Sequence, residues 1–305
     1  MAMPLKLKLI FILYFCFMND NKSYNQKLNE LISNALKEDI GDGDHSTLAS
    51  IDENQKGTAI LKIKDEGILA GVNVAEAIFS FVEPSSVMEV LKKDGEEMHY
   101  GEVAFTVKAQ ISTILTCERL VLNCMQRMSG IATLTRKYTD KLKGYHTRIL
   151  DTRKTTPNFR LLEKEAVRIG GGINHRFGLY DMIMLKDNHI DYAGGIQNAL
   201  EKAWNYVQEK KAGLKIEVET RSLEDVKKVM KSGKADRIML DNFSPAEIKE
   251  ALKIINGAVE TEASGAITLD NLEDYATTGV DFISSGAIIH QATSLDLSLK
   301  AVISQ

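Results

Sequence analysis

Residues 214–266 read LKIEVETRSLEDVKKVMKSGKADRIMLDNFSPAEIKEALKIINGAVETEASGA. Three short apolar runs, at 215–218, 236–240 and 258–261, have strand length and strand composition. Between them the punctuation is helical. Ser222-Leu223-Glu224-Asp225 opens a helix that closes near Gly233. Ser244-Pro245-Ala246-Glu247 is a capping box with Pro at the first helical position, and Gly257 follows that helix. The rhythm extends both ways, to apolar runs at 147–150, 182–185 and 280–284, with Thr268 preceding a further helix and Gly279 ending it. Strands joined by helical crossovers make a parallel sheet, and a barrel-like β/α fold is its natural closure. A doubly wound open sheet is the runner-up; neither GxGxxG nor the P-loop glycine pattern supports it.

Each strand leads into polar or glycine-bearing residues. In chain order these segments are Asp151-Thr152-Arg153-Lys154, Lys186-Asp187-Asn188-His189, Glu219, Asp241-Asn242, Glu262-Ala263-Ser264-Gly265-Ala266 and Ser285-Gly286-Ala287. In β/α barrels the C-terminal rim of the strands holds the site. Between Asp151 and Ile190 lie Arg153, Lys154, Arg160, Arg168, His175, Arg176 and Lys186, around the triple glycine 170–172. Arg presents a fork suited to carboxylate and phosphate, and Lys a compact charge, so this stretch predicts a site for a small polyanion. The two small Ser-Gly-Ala loops bring backbone N–H groups within reach of a phosphate. Glu219 and Asp241 beside them suit either a divalent metal shared with the ligand or hydrogen bonds to ribose hydroxyls; each alone could be a capping acid. For the glycines, close backbone packing beside His175 is expected, not a nucleotide fingerprint.

Upstream, residues 24–48 read as a helix followed by an acidic loop whose spacing does not match a calcium loop, hence a solvated turn. Residues 57–110 mix strand alternation with helical spacing at 72–81, as a small α+β domain would. A long helix is expected from near Thr116, with Arg119 in its first turn, where the helix dipole disfavours a cation; an anionic partner or a neighbouring Glu would offset that. The chain has 305 residues, 44% apolar and 26% charged, with a formal net charge of −4, which fits a globular protein and argues against a nucleic-acid partner. Cys16, Cys117 and Cys124 form no metal or redox spacing, so a reducing, cytoplasmic setting is expected. The apolar run at 9–18 behind Lys6 and Lys8 is too short to span a bilayer and lacks a small-x-small cleavage site; residues 1–23 read as an extension or, with translation starting at Met18, a misassigned start. No membrane partner is expected.

The segments EDIGDGDHST, CERLVLNCMQRMSGIAT, DTRKTTP, RIGGGINHR, GLYDMIMLKDNHI, IEVE, IMLDNF, EASGAIT and GVDFISSGA resemble, in colinear order over about residues 25–300, the quinolinate phosphoribosyltransferase family. The resemblance implies an N-terminal α/β sandwich domain (24–127, with the tail 291–305 packing back on it) and an incomplete, open, seven-stranded TIM-like barrel (128–290). It implies transfer of phosphoribosyl from phosphoribosyl pyrophosphate to quinolinate with decarboxylation, giving nicotinate mononucleotide, pyrophosphate and CO2, with Mg²⁺ and no organic cofactor. It implies a homodimer or hexamer in which Arg119 reaches the partner's site.

By the same resemblance, Thr152, Arg153 and Lys154 belong to the acid pocket, and His175 and Arg176 contact the quinolinate carboxylates. Lys186 lies at the reacting centre. Glu219 and Asp241 serve the ribose hydroxyls and the metal, directly or through water. Ser264, Gly265, Ala266, Ser285, Gly286 and Ala287 hold the 5′-phosphate. Two positions depart from the family pattern, Asn158 and Ala266, each where glycine is usual; Ala266 would perturb the loop if that position needs φ > 0. Three rivals stand beside this reading: another acidic acceptor with the same donor, a Schiff-base aldolase using Lys186, and a ligand sensor without turnover.

Overall fold

The computed structural model describes residues 5–211 and 213–302, with side chains from residue 23 onward, so the apolar run at 9–18 lies outside the described side chains. The chain divides into two compact units. One comprises Met1–Ser129, Pro157–Leu162 and Leu295–Gln305; the other comprises Gly130–Thr156 and Glu163–Ser294. Among the described residues no helix is long and apolar enough to cross a membrane.

In chain order the elements up to the first long helix after the acidic loop are α1 (Leu5–Ile40), α2 (His45–Ser50), β1 (Lys56–Ile63), β2 (Gly67–Ile68), α3 (Val72–Val82), β3 (Val87–Val90), β4 (Glu97–Met98), β5 (Val103–Gln110) and α4 (Ile111–Lys141). The acidic loop is not wholly a turn: Asp44 accepts the Thr47 N–H at 3.1 Å and caps α2. An antiparallel sheet core arises from alternation. Ala59, Leu61 and Ile63 of β1 are buried at every second position, as are Phe105 and Val107 of β5, and Ile78 and Phe79 of α3 are buried with them. Phe79 and Phe105 meet edge to face at 6.4 Å. The last strand of the chain, β12 (Leu297–Ala301), completes this four-stranded sheet in the order β12-β1-β5-β3. One expectation fails here. Strand β5 runs straight into α4, which starts at Ile111, so Arg119 sits more than two turns from the helix N-terminus, exposed, and the dipole argument does not apply to it.

The elements between α4 and β12 are β6 (Arg148–Leu150), α5 (Arg160–Ile169), β7 (Ile183–Leu185), α6 (Asp187–Ala193), α7 (Ile196–Lys210), β8 (Ile216–Thr220), α8 (Leu223–Ser232), β9 (Arg237–Asp241), α9 (Pro245–Ile255), β10 (Glu260–Ser264), α10 (Leu272–Ala276), β11 (Phe282–Ser284) and α11 (Ala287–His290). Strands β6 to β11 form a six-stranded parallel sheet, ordered β6-β11-β10-β9-β8-β7. Ile173 adds a lone parallel bridge to Leu150 on the outer edge of β6. The caps read from the sequence are in place: Ser222 accepts from the Asp225 N–H, and Ser244 and Glu247 cap reciprocally. Thr268 does not open the next helix; α10 starts four residues later, behind Asn271, whose Oδ1 accepts the Thr268 N–H.

The sheet is unusual in what it turns inward. Ile216, Val218, Ile238, Leu240, Ala263 and Ile283 are buried on one face. The opposite face presents Glu217 and Glu219, Arg237, Met239 and Asp241, Glu262 and Ser264, then Phe282 and Ser284. Strand period 2 therefore sorts apolar residues outward, toward the helical side, and polar residues inward.

Candidate active site

The inward face opens at the C-terminal ends of the strands into a cavity of about 780 Å³. Its wall is contributed by Thr152, Arg153 and Lys154 after β6, His175 and Arg176, Lys186 after β7, Glu219 of β8, Asp241 of β9, Ser264, Gly265 and Ala266 at the end of β10, and Ser285, Gly286 and Ala287 after β11. Every residue to which the family resemblance gives a site role thus lines one cavity except Arg119, which belongs to the other unit; Arg160 and Arg168, counted among the cations of 151–190, do not line it, and Arg168 pairs with Glu165 at 2.6 Å. A smaller cleft of about 320 Å³ near Ile183, Ala199 and Tyr206 has mostly apolar walls and holds none of them.

Burial and the nearby Arg153 both lower the pKa of Arg176. Two guanidiniums held this close, with Lys154 and Lys186 on the same wall, call for an anion between them. Gly286 makes room for Lys154, whose Cδ would lie 3.0 Å from a Cβ there. Lys186 is half-exposed, with its Nζ 3.6 Å from Glu219 Oε2. Asp241 Oδ2 accepts from Asn242 Nδ2 at 2.8 Å. Gly265 has no alternative: a Cβ there would lie 2.2 Å from Asn242 Oδ1. Ser285 Oγ donates to Ile267 O at 3.2 Å and ties the two small loops together.

Both departures from glycine sit at positive φ: Asn158 at 61° and Ala266 at 49°. Asn tolerates that region and Ala does not, so the strain lies at Ala266. The triple glycine is a packing device. A Cβ on Gly170 would meet Ala132 O at 2.5 Å, one on Gly172 would meet Val167 Cγ1 at 2.8 Å, and Gly171 has φ 92°.

One layer below the mouth lies a buried charge cluster that sequence reading missed. His175 Nε2 is 3.0 Å from Glu217 Oε2 and 3.2 Å from Glu262 Oε2, and Arg237 reaches Glu262 at 3.3 Å and Glu260 at 2.9 Å. Glu217 and Glu262 are fully buried, and neither carboxylate makes an aligned hydrogen bond to Nε2. Burial lowers the His175 pKa, but the two carboxylates outweigh it and raise it to about 9. Burial, with Glu262 alongside, raises Glu217 to about 7. The Arg176 N–H donates to His175 Nδ1 at 2.6 Å, which opposes a second ring proton. Two desolvated carboxylates dominate this balance, so the cluster as a whole retains a proton. Both ring nitrogens consequently face groups of the protein itself.

The fold and the cavity define a β/α protein with a charged cavity at the C-terminal ends of its parallel strands. Residues 44–129 match the family model described as quinolinate phosphoribosyl transferase, N-terminal domain, and residues 131–300 match the one for its C-terminal domain. The chain belongs to the quinolinate phosphoribosyltransferase family. It is similar to the chloroplastic carboxylating nicotinate-nucleotide pyrophosphorylase of Arabidopsis thaliana, 46% identical over 90% of this chain and 82% of that one. It is 44% identical to the decarboxylating quinolinate phosphoribosyltransferase 1b of Nicotiana tabacum, with the same coverage. Among solved structures, NadC from Streptococcus pyogenes superposes with a TM-score of 0.84 at 37% identity, covering 90% of this chain and 97% of that one.

Proposed function

We propose that this protein transfers the phosphoribosyl group of phosphoribosyl pyrophosphate to quinolinate with loss of CO2, yielding nicotinate mononucleotide and pyrophosphate. The observation that carries the reading is the make-up of one cavity, whose lining brings together the cations Arg153, Lys154, Arg176 and Lys186, the carboxylates Glu219 and Asp241, and two small glycine loops. Arg153 and Arg176 take the two carboxylates of the pyridine acid. His175 supports Arg176 from beneath, since its own ring nitrogens face Glu217, Glu262 and the Arg176 amide. The loops 264–266 and 285–287 hold the 5′-phosphate through backbone N–H groups.

Glu219 and Asp241 present two carboxylates to the cavity, which fits Mg²⁺, an ion held by one or two carboxylates with waters and substrate phosphate completing its shell. When bound, Mg²⁺ neutralises charge on the pyrophosphate. The pyridine nitrogen lone pair forms the bond to ribose C1 while the C1–O bond breaks, and that electron pair leaves with pyrophosphate beside Lys186. The 2-carboxylate then departs as CO2, leaving its bonding pair on C2 as a carbanion stabilised by the adjacent cationic nitrogen, and C2 takes up a proton from water. Lys186 is half-exposed and faces a carboxylate, unlike the desolvated lysine of a Schiff-base enzyme, so the aldolase reading is disfavoured.

The same reading makes the protein a cytoplasmic homodimer or hexamer, with Arg119 serving the partner's cavity and no nucleic-acid or membrane partner. It also makes Ile173 the remnant of a seventh strand in an open barrel, and puts the domain boundaries at 24–127 and 128–290. The test is incubation with quinolinate, phosphoribosyl pyrophosphate and Mg²⁺, following CO2 and nicotinate mononucleotide; nicotinate should be a poor acceptor. No CO2 release overturns the function. Mixing Arg119→Ala and Lys186→Ala proteins should restore part of the activity, and a mixture as inert as its components overturns the shared site.

A further inference from the structure

The side chain of Lys164 is buried, with 1% of the residue exposed, and its ammonium donates to Asp151 Oδ1 at 2.5 Å and to the His175 carbonyl at 3.0 Å. Asp151 Oδ1 also accepts the His175 N–H at 2.8 Å. The main chain on both sides of His175 is therefore fixed by one buried ion pair, immediately before Arg176. The preceding residue in α5, Glu163, is fully buried as well and accepts the Thr156 N–H at 2.8 Å and its hydroxyl at 3.0 Å. Consecutive residues of one helix thus anchor the two separate segments that carry the cavity's arginines, 152–156 and 174–176. Stability alone is a poor reason to keep such groups, because apolar replacements of a buried ion pair are often neutral or better.

We propose that Glu163 and Lys164 are positioning residues that set the separation of Arg153 and Arg176, and through it the affinity for the acidic acceptor. This rests on the assignment of those arginines to the carboxylates of quinolinate. The two guanidiniums repel each other, so without a brace they would spread, and a dicarboxylate of fixed geometry would lose one of its contacts.

The test is steady-state kinetics of the full-length protein with both substrates varied. Lys164→Met strands Asp151 as a buried charge and could fail to fold. The double variant Asp151→Asn/Lys164→Met removes both charges yet keeps an acceptor for the His175 N–H. That variant should raise KM for quinolinate about tenfold while KM for phosphoribosyl pyrophosphate moves less than about twofold, and Glu163→Gln should shift the same ratio in the same direction. In an Arg176→Ala background the double variant should have little further effect on KM for quinolinate. Unchanged or equally raised KM values, or a full effect in the Arg176→Ala background, overturn the proposal while leaving wild-type turnover and the functional reading intact. A wild-type protein with no quinolinate turnover overturns both.

Discussion

Glu217 and Glu219 project from the same face of β8, about 7 Å apart along the strand. The upper one lies on the wall of an open cavity with a half-exposed lysine beside it. The lower one is sealed among His175, Glu262 and Arg237. Identical side chains two residues apart thus differ in the state they serve. At the mouth, the carboxylate and the lysine stay reachable from the cavity and so are available to a ligand. One layer down, charge is matched inside the protein and excluded from water. A parallel sheet of this kind can carry a strongly charged site because a second layer matches its buried charges within the protein.

Removing one member from each layer should separate stability from turnover. Glu262→Ala leaves Arg237 and His175 without their shared anion and should cost about 3–5 kcal/mol in chemical denaturation. Lys186→Ala should leave stability within about 0.5 kcal/mol of wild type, yet lower kcat about 10²–10³-fold with a smaller change in KM. A Lys186→Ala protein with near wild-type kcat removes that residue from the reacting centre, and a Glu262→Ala protein of undiminished stability removes the distinction between the layers.

The next effect is in the pH dependence. His175 has its pKa raised from 6.5 to about 9, so between those values the folded state binds more protons than the unfolded one. The associated stability is complete below pH 6.5 and is lost as pH rises through about 9, and Glu217, raised from 4.5 to about 7, acts with the same sign. Wild type should lose up to about 3 kcal/mol across the alkaline window, and His175→Gln should flatten that decline. Equal slopes would mean that the lower layer holds no extra proton. The smallest effect is expected at the rim, where Ala266→Gly should gain about 0.5–1 kcal/mol by relieving a left-handed alanine, against the entropy glycine adds to the unfolded chain. Asn158→Gly, a change at an equally left-handed position already held by a tolerant residue, is the control and should be near neutral. A melting point lowered by Ala266→Gly would contradict the strain at that loop.

The upper layer was legible in the sequence and the lower one was not. Rim residues come directly after their strands, so marking strand ends at 150, 185, 218, 240, 261 and 284 came close to each of them. Caps at Ser222 and Ser244 fixed the helices because their side-chain chemistry is local. Glu217 and Arg237 were hidden because a charged residue alternating with apolar ones ordinarily marks a solvent face, and Glu262 was read as a rim residue because the strand was ended at 261, whereas β10 runs on to Ser264 and buries it. Here the polar face turns inward, and only tertiary closure shows it. Lys164 was hidden because residues 160–169 were not read as a helix, and only α5 turns it into the interior. The start of α4 at Ile111 went unread because β5 enters it without a turn or capping residue. Arg119 consequently lost the positional oddity that drew attention to it, although its matching segment did not.

Strand β12 also bears on how the chain is made. It pairs with β1 from Ala59↔Ala301 to Ile63↔Leu297, while β5 already occupies the other edge of β1. During synthesis, β1 emerges long before Leu297–Ala301, and until those residues are made its second edge has no native partner. Through that interval the nascent protein carries an open sheet edge, a template for unwanted pairing with other chains. Completion of the sheet therefore waits on Leu297–Ala301, and a chain lacking those residues would keep that edge uncapped.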